Sequence, residues 1–322
     1  MNCRIFGAIA VVMLAPGFSS GESAIQYKYL DSRLGYIGEG VGDVAAMPVG
    51  LDVDIAGQAL VLLKIRVLTT SENELSVTGF GDSGRSPGPF RHEVIGVGPD
   101  GGVTVLLDGG PGITGESNPL NGLASDGKGI YLFSGVPAAG NGAFTRLRYF
   151  SGKRRGLVFD SDRNTSQNRP GMFAKFSQSL SGILEKRRLV AGSVRIVPGP
   201  VLAVRVRGLP GWDDAGKDAV IGSDPQGREY QGGTCIGVDD DSNLYVLVSR
   251  RVEDDEFAVR RPQDLVVLGP DGRRLAVLEL KPWRDDLWSS AGENIRIRGN
   301  GDILQLWSQG NQFSLRRWSF QK

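Results

Sequence analysis

The chain has 322 residues, 40% of them hydrophobic, which is enough to bury a sizeable core. Its 37 basic and 36 acidic side chains nearly cancel, at a formal net charge of +1, so it lacks the strong field of a nucleic-acid reader or a binder of anionic membranes. Forty-seven glycines without a three-residue period exclude a collagen-like chain and point instead to many tight turns.

Met1 to Arg4 give a short positive start, and Ile5 to Leu14 form an apolar run too short to span a bilayer. Small residues follow as far as Ala24, with cleavage expected after Gly17 or Ser23. Residues 1–24 therefore read as a signal peptide. Residues 25–322 read as a single secreted or periplasmic domain with no membrane span, acting as a monomer. With Cys3 in the signal, Cys235 has no partner for an internal disulfide, and its apolar setting predicts an inert buried thiol.

The predicted elements then run in order. Tyr27–Tyr36 is a strand. Leu51–Leu63 is a hairpin around an Asp/Gly turn, and Val94–Leu106 is a second hairpin around Gly-Pro-Asp-Gly. Leu123–Phe133 is another hairpin, and Arg146–Phe150 is read as a separate inner strand. Gly156–Asn164 leads to Phe173–Leu184, placed as an outer hairpin, although Phe173, Phe176, Leu180 and Leu184 are also spaced as on a helix face. Val194–Val204 leads to Ala219–Arg228. Ile236–Val248 and Leu265–Val277 repeat the first two hairpins in the same order. Ile295–Trp307 and Phe313–Trp318 close the series.

Two hairpins per unit make four strands at about 40–50 residues, the signature of β-propeller blades. An all-β propeller of six four-stranded blades is expected, or five if Leu123–Phe159 forms one unit. Tyr27–Tyr36 would supply the outer strand of the last blade.

The stretches Gly156-Leu-Val-Phe-Asp-Ser-Asp-Arg-Asn164, with its Phe-Ala-Lys-Phe-Ser continuation, and Val238-Asp-Asp-Asp-Ser-Asn-Leu-Tyr-Val246 resemble NHL-type repeats of six-bladed propellers. The resemblance covers residues 27–322 in outline and implies a fold, not an activity. Such propellers serve binding proteins, lyases and lactonases alike.

The motifs that suggest chemistry mostly dissolve on inspection. Gly81-Asp-Ser-Gly84 resembles a serine-protease nucleophile loop, but the single histidine, His92, lies downstream of Ser83 where that order needs it upstream. His92 reads as a surface or strand-edge residue, and with one histidine no His pair can act as acid and base. Asp239–Asn243 has alternating oxygen ligands but lacks the glycine and acidic residue of a calcium loop, so it reads as a hairpin turn. Gly38–Gly42 precedes no helix and is not read as a phosphate loop. Basic pairs such as Arg250-Arg251, Arg273-Arg274 and Arg316-Arg317 read as solvated edges. Asn164-Thr-Ser166 matters only if the chain passes through a glycosylating pathway.

The best place for function is the central funnel of a propeller, next to each innermost strand. There the expected ligand-binding residues are Asn118, Asn121, Thr234, Glu293 and Asn294. The leading expectation is a non-catalytic propeller without cofactor that binds a protein, peptide or glycan, with no nucleic-acid partner. The alternative is a hydrolase or lactonase dependent on calcium or another divalent metal, in which Glu293 and the asparagines supply oxygen ligands.

Overall fold

The turns explain the architecture before the strands do. In the computed structural model, six of them share one geometry, starting at Asp54, Gly98, Asp224, Asp239, Gly269 and Arg298. In each, the first residue exchanges backbone hydrogen bonds with residues three and four positions on, as in Asp54 with Gly57 and Gln58 at 3.0 Å. The residue three positions on has positive φ. It is glycine in five of the turns, such as Gly57 at 82°, and Ser242 at 63° in the sixth. This is the three-residue hairpin loop ending in a left-handed residue, which turns a strand back on itself with native twist. The Asp54 and Asp239 carboxylates tighten their turns by accepting the N–H groups of Gln58 and Asn243, each at 2.8 Å.

The structure describes residues 8–9, 26–36, 44–67, 90–108, 120–134, 146–152, 157–159, 170–212, 218–250, 263–280, 294–309 and 312–321. These form an all-β assembly of antiparallel sheets with one helix among the described residues. The chain divides into two units, whose main spans are residues 32–184 and 185–307. Residues 1–24 lie outside the described residues apart from the two-residue strand β1 (Ala8–Ile9).

In the first unit, β3 (Val44–Val53), β4 (Ala59–Val67), β5 (Phe90–Val97) and β6 (Val103–Asp108) form one meander. A second contains β7 (Gly122–Ser125), β8 (Gly129–Ser134), β9 (Arg146–Gly152) and β10 (Leu157–Phe159). Leu60, Leu62, Val94 and Leu107 of the first sheet pack against Leu123, Ile130, Leu132 and Phe150 of the second. Gly50 permits the approach, because a Cβ there would sit 2.9 Å from Cβ of Leu123.

The other face of the second sheet carries Tyr131, Phe133, Leu147 and Tyr149, and helix α1 (Pro170–Gly192) covers it. This corrects the outer hairpin expected over Phe173–Leu184. Pro170 stands at the helix start, where its missing N–H costs nothing, and Phe176, Leu180, Ile183 and Leu184 form one apolar stripe. Arg146–Phe150 is also corrected. It is not separate but is third in the same sheet as the Leu123–Phe133 hairpin, with Leu147 opposite Phe133 and Phe150 opposite Ile130. Alternation explains the placement, since Leu147 and Tyr149 face the helix while Phe150 enters the core between the sheets.

In the second unit, β11 (Val194–Val197), β12 (Leu202–Val206) and β13 (Ala219–Gly222) form a three-stranded sheet. The next contains β14 (Tyr230–Val238), β15 (Leu244–Arg250), β16 (Gln263–Leu268) and β17 (Arg274–Leu280). The last joins β18 (Ile295–Ile297), β19 (Ile303–Gln309), β20 (Gln312–Gln321) and β2 (Gln26–Tyr36). The strand expected over Tyr27–Tyr36 thus lies beside β20.

The central strands β15 and β16 are buried on both faces. Val246, Val248 and Val266 pack with Val204 and Ile221, while Tyr245, Leu247, Leu265 and Val267 pack with Ile295, Ile303 and Trp318. Unbroken apolar runs in β15 and β16 are what two-sided burial requires.

Candidate recognition groove

Among the described residues, strand β14 is the edge of its sheet, with β15 as its hydrogen-bonded neighbour strand. Its register breaks twice. Tyr230 lies opposite Arg250 and Gly232 opposite Ser249, which leaves Gln231 as the extra residue of a β-bulge. A second irregularity between Cys235 and Gly237 leaves Ile236 in the same position. Bulges re-aim side chains and end regular pairing, and these two bracket the short stretch Gly232–Cys235.

Alternation then sets what that stretch faces. Gly232 pairs with Ser249 and Ser249 with Gln263, so these three share one face, and Thr234 opposite Leu247 continues it. Together with Gln231 and Gly233 these residues line an open groove of about 280 Å³. The side chains of its described lining residues carry two carboxamides and two hydroxyls, and none of these described residues is titratable. Gly232 leaves the groove open, because a Cβ added there would meet nothing within 4 Å. A Cβ on Gly233 would sit 2.8 Å from the Leu247 carbonyl oxygen, so that position has no room for a side chain.

The strand ends behind the groove are fastened by buried charge. The Arg250 guanidinium forks onto the Asp264 carboxylate, donating to Oδ2 from Nε at 2.8 Å and to Oδ1 from Nη2. Tyr230 donates its hydroxyl to Asp264 Oδ2 at 2.9 Å, and Arg250 also reaches Glu279 at 3.2 Å. Asp224 accepts the Arg228 side chain at 2.7 Å and lies 3.6 Å from Arg250. Burial would raise the Asp224 carboxyl, but the N–H and guanidinium of Arg228 outweigh it and hold the group below the usual range. Burial also raises the Tyr230 phenol, which therefore stays protonated as a donor. Tyr230, Arg250 and Asp264 each stand one residue from a groove residue, namely Gln231, Ser249 and Gln263.

The expected site residues separate. Thr234 is exposed and lines the groove. Asn294 is buried and serves its own hairpin: Nδ2 donates to the Leu306 carbonyl at 3.0 Å, and its carbonyl accepts the Leu306 N–H at 2.9 Å. Asn121 is exposed, with its backbone N–H bonded to the Phe133 carbonyl at 3.0 Å. Asn118 and Glu293 lie outside the described residues, as do Gly81–Gly84, Gly38–Gly42 and Asn164–Ser166.

Asp239–Asn243 is the β14–β15 turn. Its Asp239 carboxylate accepts from the N–H groups of Asp241 and Asn243, the Asn243 amide and the Tyr245 hydroxyl. Burial pushes the Cys235 thiol up to about 12, so at neutral pH it is a thiol and not a nucleophilic thiolate.

Two readings need correction. His92 is 2% exposed on β5, an inner strand of its sheet, not a surface or edge residue; its register partner is Lys64 on β4, another inner strand. Several arginines of the basic pairs are buried rather than solvated. Arg250 joins the network above, and Arg316 lies with its guanidinium carbon 3.5 Å from the Trp307 ring centroid. The groove residues Gln231, Gly232, Gly233, Ser249 and Gln263 were not expected. The available signal was the glycine pair inside a strand, which marks a bulge or close backbone approach.

No protein-family model matches the chain, NHL-type repeats included, and no curated protein matches it. Among solved structures, a chain in the crystal structure of S. cerevisiae core factor is similar at 8% identity and a TM-score of 0.24. The match covers 94% of this chain and 62% of that one. A likeness that weak carries no structural argument.

Proposed function

We propose that this protein is a non-catalytic β-propeller that recognises a protein, peptide or glycan outside the cytoplasm, and that the groove on β14 is its recognition site. The groove carries the reading. It joins polar, uncharged groups to a sheet whose central strands are buried on both faces, and rigid scaffolds with a few convergent polar groups are how recognition sites are built.

The propeller reading draws support from the meander order of the sheets and from β2 beside β20, the exchange of terminal strands that a closed ring uses. The sheets formed by β2–β20 favour five blades over six, because Arg146–Gly152 belongs to the same sheet as β7 and β8.

The test is a comparison of the full chain with its Gly232→Phe variant on arrays of peptides and glycans. Binding by the wild type that the variant loses is expected. Binding that the variant keeps, or no binding by either, would remove the groove as the recognition site.

A further inference from the structure

We infer that the groove takes an uncharged sugar residue of a glycan, a deeper statement that rests on the groove being the recognition site. Four of its lining residues, Gln231, Thr234, Ser249 and Gln263, each carry both a hydrogen-bond donor and an acceptor. A sugar hydroxyl also donates and accepts, so such a lining satisfies it in either sense. A charged ligand would find no counter-ion among these residues and would lose hydration without compensation. The volume of about 280 Å³ lies just below the range of sites for drug-sized molecules, which suits one ring better than a long segment. Gly232 and Gly233 present bare backbone, so a pyranose ring can approach the strand closely.

The same strand argues against an extended peptide. Adding a strand to a sheet edge needs a continuous ladder, and the bulges at Gln231 and Ile236 interrupt β14 on both sides of Gly232–Cys235.

The experiment is titration calorimetry of the full chain with three sets of probes. These are neutral oligosaccharides of glucose, galactose, mannose and N-acetylglucosamine, their uronic-acid or sulfated counterparts, and uncharged tetrapeptides. A neutral saccharide is expected to bind at least about tenfold tighter than its acidic counterpart. Gly232→Phe is expected to weaken it by about tenfold or more with the melting temperature unchanged, since the new side chain enters open space. Gln231→Leu, on a bulge outside the ladder, should weaken it by about tenfold through lost hydrogen bonds, and it serves if the phenylalanine variant fails to fold. Preference for the acidic saccharides overturns the inference. Tetrapeptide binding that Gly232→Phe abolishes, without saccharide binding, also overturns it but keeps the groove as a recognition site. Absence of any binding sensitive to both variants overturns both.

Discussion

Sheets β7–β10 and β14–β17 are the same four-stranded meander under different covers. The second has its central strands β15 and β16 covered on both faces by mainly aliphatic side chains, and its buried charges gather at the strand ends, where Arg250 and Asp264 neutralise each other. The first has one such face, while its other face receives a helix through rings and hydroxyls. Tyr149 stacks on Phe176 at 5.2 Å, the Ser179 hydroxyl donates to the Tyr131 oxygen at 2.9 Å, and Asp126 accepts both tyrosine hydroxyls at 3.2 Å. A sheet matches its neighbour sheet by shape over many side chains. A helix meets a sheet along one stripe and needs directional contacts to fix it. The two covers should therefore fail differently.

The largest effect is expected at the strand ends. Arg250→Ala leaves the Asp264 charge buried and unpaired, and should cost about 3–5 kcal/mol of unfolding free energy in a urea titration. A cost below about 1 kcal/mol would show that the network does not fasten this sheet. Phe176→Ala should cost about 1–3 kcal/mol, because the half-buried ring gives up its stacking and part of its burial. Hydrogen exchange should then quicken in α1 while β8 keeps its protection. Equal changes in both would mean that helix and sheet open as one.

Alkali should weaken the second unit. Burial pushes the Tyr27 phenol up to about 12 from near 10, and the Cys235 thiol up to about 12 from near 9. The folded chain thus holds protons that the unfolded chain has released. Their contribution is intact below pH 9 and is lost as the pH rises from 9 through 12. Urea midpoints measured at successive pH values should fall across that window; a flat profile would contradict the burial of these groups. The smallest effect is a gain. Ser242 holds φ of 63° where the five matching turns have glycine, so Ser242→Gly should raise the urea midpoint by about 0.5–1 kcal/mol equivalent.

The hairpins were legible because their signal is local. Asp54 with Gly57, and Gly98 with Gly101, specify a turn by residues within five positions of one another. Helix α1 was half legible. Its stripe has helical spacing, but periodicity in so short a window is ambiguous, and only Tyr131 and Tyr149 waiting on the sheet decide for the helix. The groove was the least legible part. Gln231 faces it because one residue is left over when β14 pairs with β15, a property of two segments in register that neither holds alone. Asn294 misled for a related reason, since an asparagine before a strand suits a funnel ligand as well as it suits the carbonyl of Leu306.

The pairing of β2 with β20 also sets an order of events. Each hairpin with its five-residue turn closes within a short loop, in about 1–10 μs for hairpins of this kind. The last sheet instead joins the two extremes of the described chain, and loop-closure entropy puts that contact late. During synthesis β2 leaves the ribosome early and must wait for β20, with its edge open to other strands in the meantime. Folding yield should therefore depend on how β2 is shielded until β20 has emerged.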